Sequence, residues 1–373
     1  MIIELHLLQS FPVSNLNRDD LGQPKTASVG GHLRARISSQ SLKRAARKLF
    51  TEYGLDKSEV GVRTKRLLTQ VENQLADQGR DRDEARGVVI AALEQLGFGV
   101  DSAKGLTEYL LFVSTETIDR LAELCTQNWD SLSAFASAKS GAKQAKAKLD
   151  KAAQAEVKRV LDASRATDIA LFGRMIADNK DLNVDAASQV AHAISTHVAV
   201  TEFDYFTAVD DFLPTEESGA DMIGTVDFNS ACYYRYANIN LEQLARNLDN
   251  DRDLVRRAAK AWLYAFINAV PGGKQNSTAA RTMPDTLLGV ARPHGAWNLS
   301  NAFLNPVSAD DLMAESTTRL IDHFTKLRSF YGKSNIASAV AASVSRDLAP
   351  ADGLAIADNV DDFVEAVLTG AAA

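Results

Sequence analysis

Apolar and polar positions change period several times along the chain. Residues 2–9 form a short apolar run broken by His6, the pattern of a buried or half-buried first strand. Ser14 to Lys25 is polar, and Asn15, Asn17, Asp19, Asp20, Gly22 and Pro24 mark it as a loop. After Gly30-Gly31, Leu33 to Ile37 alternates apolar and basic residues like a strand. Ser38-Ser39-Gln40 then reads as a helix start, with a serine oxygen able to accept from an orphan backbone N–H. Within that helix Leu42, Ala45, Ala46, Leu49, Phe50 and Tyr53 recur at helical spacing as an apolar face. Gln40, Lys43 and Arg47, three and four residues apart, share another face.

From residue 57 to about 190 the pattern is helical, alanine is dense and β-branched runs are few. Strand patterns return after Thr196. Tyr205 to Val209 and Ile223 to Phe228 flank a loop rich in Pro, Glu, Ser and Gly, which predicts an extended hairpin. Tyr233 to Leu241 predicts a further strand, Asp253 to Ala269 a helix, Thr286 to Ala291 a strand and Val360 to Leu368 an acidic helix. There is no internal repeat. The order suits an α+β domain interrupted by a helical excursion. An RRM-like or ferredoxin-like core fits it, although order alone does not select one.

Composition adds the broad class. With 46% hydrophobic and 24% charged residues the chain is an ordinary globular protein. Cys125 and Cys232 are isolated and suggest neither a disulfide framework nor a metal site. The N-terminus does not read as a signal peptide, and no apolar stretch approaches the roughly 20 residues of a membrane span, so the expectation is a cytoplasmic protein that meets no membrane.

Charge is distributed unevenly. Gln23 to Phe50 holds seven basic residues (Lys25, Arg34, Arg36, Lys43, Arg44, Arg47 and Lys48) and no acidic one, in a chain of net charge −7. Taking those seven positive charges away leaves the remainder at −14. Two readings fit such a run: a solvated helix face, or a site that neutralises phosphates. The lysines and Arg159 along the alanine-rich stretch from Lys139 to Arg159 are better read as a solvated face. Thr201 to Asp227 is the opposite, with eight acidic residues and no Lys or Arg.

No catalytic constellation is evident. His192 and His197 are five apart, not the four that align two ligands on a helix. Asp19-Asp20 and Asp210-Asp211 are adjacent pairs better suited to turns than to a shared metal. Pro271-Gly272-Gly273-Lys274-Gln275 lacks the frame of a phosphate-binding P-loop and reads as a turn. Nothing in these patterns calls for a metal or cofactor.

Several segments taken together resemble a known family. They are Leu16-Asn17-Arg18-Asp19-Asp20, Lys25, Gly30-Gly31, Arg36 to Ala45 (RISSQSLKRA), Asp168 to Met175 (DIALFGRM), Ala191 to His197, Asp204 to Asp211, Tyr233 to Leu241 and Val270 to Gln275. In that order, over residues 1 to about 280, they resemble the CasC family, the backbone subunit of type I-E CRISPR Cascade. The helical insert and the last 70 or so residues match poorly.

The resemblance implies a non-catalytic, antiviral RNA-binding subunit, several copies of which form a helical filament along one CRISPR RNA and present it for pairing with target DNA. It implies an RRM-like palm (1–56, 181–199 and 229–373 with the C-terminal helices), helical fingers (57–180) and a hairpin thumb (200–228). Lys25, Ser38, Gln40, Lys43, Arg44 and Arg47 would hold the guide backbone, a mode that suits any spacer sequence. Met175, Phe206 and Ile223 would be apolar groups at a kink in the guide; without the resemblance they read as core. Family members carry lysines after Asn-Ala-Phe, whereas Leu304 to Ser308 follows Asn301-Ala302-Phe303 here, which leaves Lys274 as the weaker candidate in their place. Further implied partners are other copies of the chain, a guide-processing endoribonuclease, a 5′-end cap subunit, and large and small subunits, with cleavage belonging to another component. An RNA-processing nuclease on a related fold, or a single-copy RNA-binding protein, are the competing classes.

Overall fold

The computed structural model describes residues 1–138, 155–156, 159–176, 180–208, 222–348, 350 and 353–372, with only the backbone of 181, 222 and 223. The lysines from Lys139 to Lys158 and the hairpin tip at 209–221 lie outside the described residues. The chain forms two compact units.

The first unit comprises Met1–Tyr53, Ser188–Leu241 and Ala259–Ala373. It is built on a ten-stranded sheet. The strands are β1 (Ile2–Ser14), β2 (Thr26–Val29), β3 (His32–Ile37), β4 (Ser188–Val190), β5 (Ala193–Ser195), β6 (Glu202–Ala208), β7 (Met222–Asn240), β8 (Thr286–Arg292), β9 (Ser338–Ser343) and β10 (Ala355–Ile356). Their order is β10-β9-β8-β1-β7-β5-β3-β2, with β4 and β6 also paired to β7. The β9–β10 pair is parallel and the other pairs are antiparallel, which makes the sheet mixed.

Strand β1 sits between β7 (Ile2 opposite Asn240) and β8 (Ile2 opposite Arg292). Residues 3 to 9 are buried on both faces, which is why this segment reads as an unbroken apolar run and not as an alternation. It extends five residues beyond the predicted 2–9, because Ser10, Phe11 and Ser14 still pair with β7, across a register shift between Phe11 and Ser14. The two strands predicted at 223–228 and 233–241 are one 19-residue strand, β7.

Helices α1 (Ser39–Leu49), α2 (Arg252–Asn268), α3 (Gln275–Thr278), α4 (Leu312–Tyr331) and α5 (Val360–Ala372) complete this unit, α2 beginning just ahead of it. One core cluster joins Leu8, Tyr234, Leu288, Phe303, Leu320 and Phe324. A second joins Phe11, Ala35, Ile37, Leu42 and Tyr233, and so anchors α1 through the apolar face read from its sequence. A buried Leu or Phe side chain contributes about 1.5–3 kcal/mol, so these two clusters fix where β3 and α1 can lie.

The second unit comprises Gly54–Ala187 and Glu242–Ala258. It is mostly helical, with helices at Leu67–Asp77, Arg82–Gln95, Glu116–Gln127 and Trp129–Ala138 around Leu68, Val71, Val89, Leu121 and Cys125. A short ladder pairs Gly61–Thr64 with Leu111–Ser114. This unit's longest segment, 54–187, lies over the 57–180 expected for the helical insert. The segment Glu242–Ala258 joins this unit because Asn247 donates to the Ala170 and Asp185 carbonyls (2.9 and 2.7 Å) and Arg257 forks onto Glu59 (2.6 and 2.7 Å). Among the described residues no helix is long and apolar enough to cross a membrane.

Candidate nucleic-acid interface

The basic stretch is held in place by the polar loop that precedes it. Asn15 Nδ2 donates to the carbonyls of Gly22 (2.9 Å) and Asp227 (3.0 Å). Asp19 Oδ1 accepts from the backbone N–H of Leu21 and Gln23 (2.9 Å each), closing the turn expected of that residue. Asn17 Oδ1 accepts from Ser38 N–H at 2.7 Å, while the Asn17 carbonyl accepts from Lys25 N–H at 2.9 Å. The motif Asn17-Arg18-Asp19 is thus a brace that sets Lys25 beside the start of α1.

At that start Ser38 is the N-cap, accepting from Ser41 N–H. No acidic residue stands in the first turn, so the positive end of the helix dipole is uncompensated by side chains there. Ser38 is buried, and its oxygen serves the helix first. Gln40 and Arg44 are exposed; Lys43 and Arg47 are half-buried. Lys274 lies in the left-handed region (φ 51°) at the head of α3. Its neighbour Gly273 packs so closely on residues 15–16 that a Cβ there would stand 2.4 Å from the Leu16 carbonyl oxygen. The glycine loop carrying Lys274 therefore rests on Asn15-Leu16, directly before the brace that positions Lys25 and Ser38.

Two of the seven cations have roles that charge counting did not separate. Arg34 is buried with 0% exposure and donates to the carbonyls of Ser195 (3.0 Å) and Phe303 (2.7 Å). Burial pushes its pKa below the ordinary arginine value. It is part of the frame, clamping the lysine-poor segment after Ala302 onto β3. Arg36 is half-buried; its Nε donates to the Thr26 carbonyl (3.1 Å) and a terminal nitrogen meets His192 Nδ1 at 3.3 Å. His192 is exposed, and partial burial followed by the charges of Arg36 and Lys25 lowers its pKa. Arg36 and His192 are additions to the candidate set. Period-2 alternation placed Arg34 and Arg36 alike, and the Arg36–His192 contact joins segments too far apart in sequence for any local pattern to show.

The apolar candidates divide between the units. In the second unit Asp168 Oδ1 accepts from Gly61 N–H (2.6 Å), and Arg174 donates to the carbonyls of Leu182 and Leu161 (3.0 Å each). These buried polar residues of the DIALFGRM motif anchor the chain, and Met175 immediately after them is 84% exposed. In the first unit every residue of β6 is exposed, including Phe203, Tyr205 and Phe206. Phe206 pairs with Gly224 on β7, and its ring lies where a Gly224 side chain would be, since a Cβ there would come to 2.3 Å from the ring. Ile223 pairs with Thr207 through its backbone; its side chain lies outside the described residues.

Several groups capable of acid–base or covalent chemistry are buried or hydrogen-bonded within the first or the second unit. His6 is buried against the Tyr234 hydroxyl (2.9 Å), and burial with the Arg292 charge pushes it down to about 3. Cys125 and Cys232 are buried thiols pushed up to about 12 and about 11, mainly by desolvation. His197 Nε2 accepts from Cys232 N–H at 3.2 Å. Among the described residues no cluster of His, Cys, Asp and Glu is arranged to hold a metal ion.

These features define a class: an α+β protein with a mixed sheet, a helical second unit, and a cation-rich helix start braced by asparagine and aspartate side chains. The chain belongs to the CT1975-like protein family, whose sequence model matches residues 3–366. Two solved structures are similar along essentially the whole chain. One, titled "CRISPR RNA-guided surveillance complex, pre-nicking", is 30% identical, with a TM-score of 0.86 over 100% of both chains. The other, titled "CRISPR RNA-guided surveillance complex", is 27% identical, with a TM-score of 0.76 over 99% of both. Among curated proteins no sequence matches this chain. The resemblance to the CasC family is borne out, and the family match extends through the C-terminal third, where the motifs had faded.

Proposed function

We propose that this protein is the guide-RNA-binding backbone subunit of a type I-E CRISPR RNA-guided surveillance complex, acting without catalysis and in several copies per guide. The observation that carries the reading is the braced positive site: Lys25, Arg36, Lys43, Arg44 and Arg47 gathered at the start and along one helix in an otherwise acidic chain, within a family whose solved relatives come from CRISPR RNA-guided complexes. Cations and backbone N–H groups read phosphate and sugar, which is what a scaffold for arbitrary guide sequences requires.

The strand order β8-β1-β7-β5, with α1 and α2 in the crossovers, supports an RRM-like palm; the second unit corresponds to the fingers and the β6–β7 hairpin to the thumb. Exposed Met175 and Phe206 are side chains that can replace base stacking where the guide bends. On this reading the hairpin seats against a neighbouring copy, the bound guide pairs with target DNA, and the capping, guide-processing, large and small subunits complete the assembly.

Replacing Lys43 and Arg47 together by Glu tests the assignment. Binding of single-stranded RNA should weaken alike for unrelated sequences, and the slope of log affinity against log salt should shrink by about 0.7 for each phosphate that is no longer neutralised. Unchanged binding, or weakening confined to some sequences, overturns the assignment. Shortened RNA after incubation with the wild-type chain would favour the nuclease class instead.

A further inference from the structure

The contact between Arg36 and His192 falls within a three-residue cluster on one face of the sheet edge. The Arg36 N–H donates to the Lys25 carbonyl at 2.9 Å, so the two residues are cross-strand neighbours where the β2–β3 ladder begins. Arg36 stands opposite Ile194 of β5, and His192, two residues before Ile194, shares its face by the strand period of two. The Arg36–His192 distance of 3.3 Å agrees with that placement. Ser38, the cap of α1, follows Arg36 by two residues, so the cluster lies beside the helix start.

A guanidinium can only donate, which makes His192 Nδ1 the acceptor and places the proton of the neutral ring on Nε2. The charges acting on the ring are Arg36 from β3 and Lys25 from the segment before β2, and both are cations. They favour the neutral ring in the free protein. An anion placed among these three side chains reverses that balance, because it attracts a protonated imidazole as it attracts Lys25 and Arg36. Protonation also fills Nδ1, which turns the Arg36 N–H away from the ring and towards the anion.

We propose that Lys25, Arg36 and His192 form one seat for a backbone phosphate of the RNA, and that His192 takes up a proton from solvent when the phosphate arrives. The proposal rests on the RNA-backbone reading above and adds a proton-linked residue to it. Neutral His192 holds Arg36 in the empty seat; protonated His192 releases Arg36 and adds a third positive charge. A histidine in this position makes guide binding tighter as pH falls and leaves the seat partly neutral at higher pH.

The test uses the full chain and a fluorescently labelled single-stranded RNA of mixed sequence, with affinity measured by anisotropy from pH 8.5 to 5.5. A one-unit rise in the ring's pKa on binding is worth at most a tenfold change in affinity, reached only at pH below the free ring's own range, so wild-type protein should bind about three- to fivefold more tightly at pH 6 than at pH 8. His192→Gln keeps an acceptor for Arg36 and an outward N–H donor but cannot charge. Read as the ratio of its own affinities at pH 6 and pH 8, it should lose most of the increase, whatever its affinity at pH 8. Calorimetry of the wild type at pH 6.5 in two buffers of different ionisation enthalpy should report net proton uptake, absent in His192→Gln. An identical rise with acid in both proteins, or no difference in proton uptake, overturns the proposal and leaves the RNA-backbone reading intact. Failure of the wild type to bind RNA at any pH overturns that reading itself.

Discussion

Arg34→Met separates the frame of the candidate site from the exposed charges proposed to meet RNA. The Arg34 guanidinium makes hydrogen bonds to the Ser195 and Phe303 carbonyls at 3.0 and 2.7 Å, and a longer one to the Leu304 carbonyl at 3.4 Å. A hydrogen bond from a charged donor contributes about 1.5–3 kcal/mol, so the two shorter bonds together reach about 3–6 kcal/mol. The lowered pKa of Arg34 shows that burial of the charge offsets part of this. Methionine refills most of the volume but leaves the two carbonyls unpaired. A net loss of about 3–4 kcal/mol follows, within the range for breaking buried polar networks. For a unit of this size each kcal/mol lowers the midpoint by about 2–4 °C, so calorimetric melting should fall by about 6–16 °C. Below the melt the salt dependence of RNA binding should be unchanged, because this charge is fully buried. Lys25→Ala should do the reverse, with a small change in melting and a salt slope reduced by about 0.7. A midpoint within about 2 °C of wild type for Arg34→Met, or a reduced salt slope, would refute the structural role given to Arg34.

Gly273→Ala would place a Cβ 2.4 Å from the Leu16 carbonyl oxygen and 2.8 Å from that of Asn15, backbone atoms that cannot swing aside. Melting should report a destabilisation of about 1–3 kcal/mol together with weaker RNA binding, and wild-type behaviour in both would show that the glycine loop does not rest on Asn15-Leu16. In the second unit the Arg257 hydrogen bonds hold Glu59 below the ordinary carboxylate value despite its burial. Its stabilisation is therefore complete above the unfolded carboxylate range and is lost as pH falls through the lower folded value. Glu59→Gln should flatten the acid side of the stability profile below about pH 4.5; parallel acid limbs in chemical denaturation would contradict this linkage.

How much was legible in the sequence follows from how local each determinant is. Helix α1 was readable because its cap, its apolar face and its polar face all lie within a dozen residues. Strand β1 was readable because both of its faces are covered, which leaves an unbroken apolar run. Strands β4 and β5 have three residues each, too short to establish a period, and Ser338–Ser343 is a half-buried strand written mostly in alanine and serine. The placement of Glu242–Ala258 in the second unit depends on Asn247 and Arg257 reaching carbonyls and a carboxylate distant in sequence. The site shows the same division. The basic stretch was visible as charge, and its motif pointed to RNA, but buried Arg34 and half-exposed Arg36 are both arginines of one alternating strand. Contacts distant in sequence, the Phe303 carbonyl on Arg34 and His192 beside Arg36, set the buried arginine apart from the half-exposed one.

The central claim is that this chain coats one guide in several copies. Native mass spectrometry of the protein co-expressed with a CRISPR array and its companion subunits measures RNA and stoichiometry together. The account predicts a particle in which several copies of this chain share one intact RNA; one chain per RNA would contradict it.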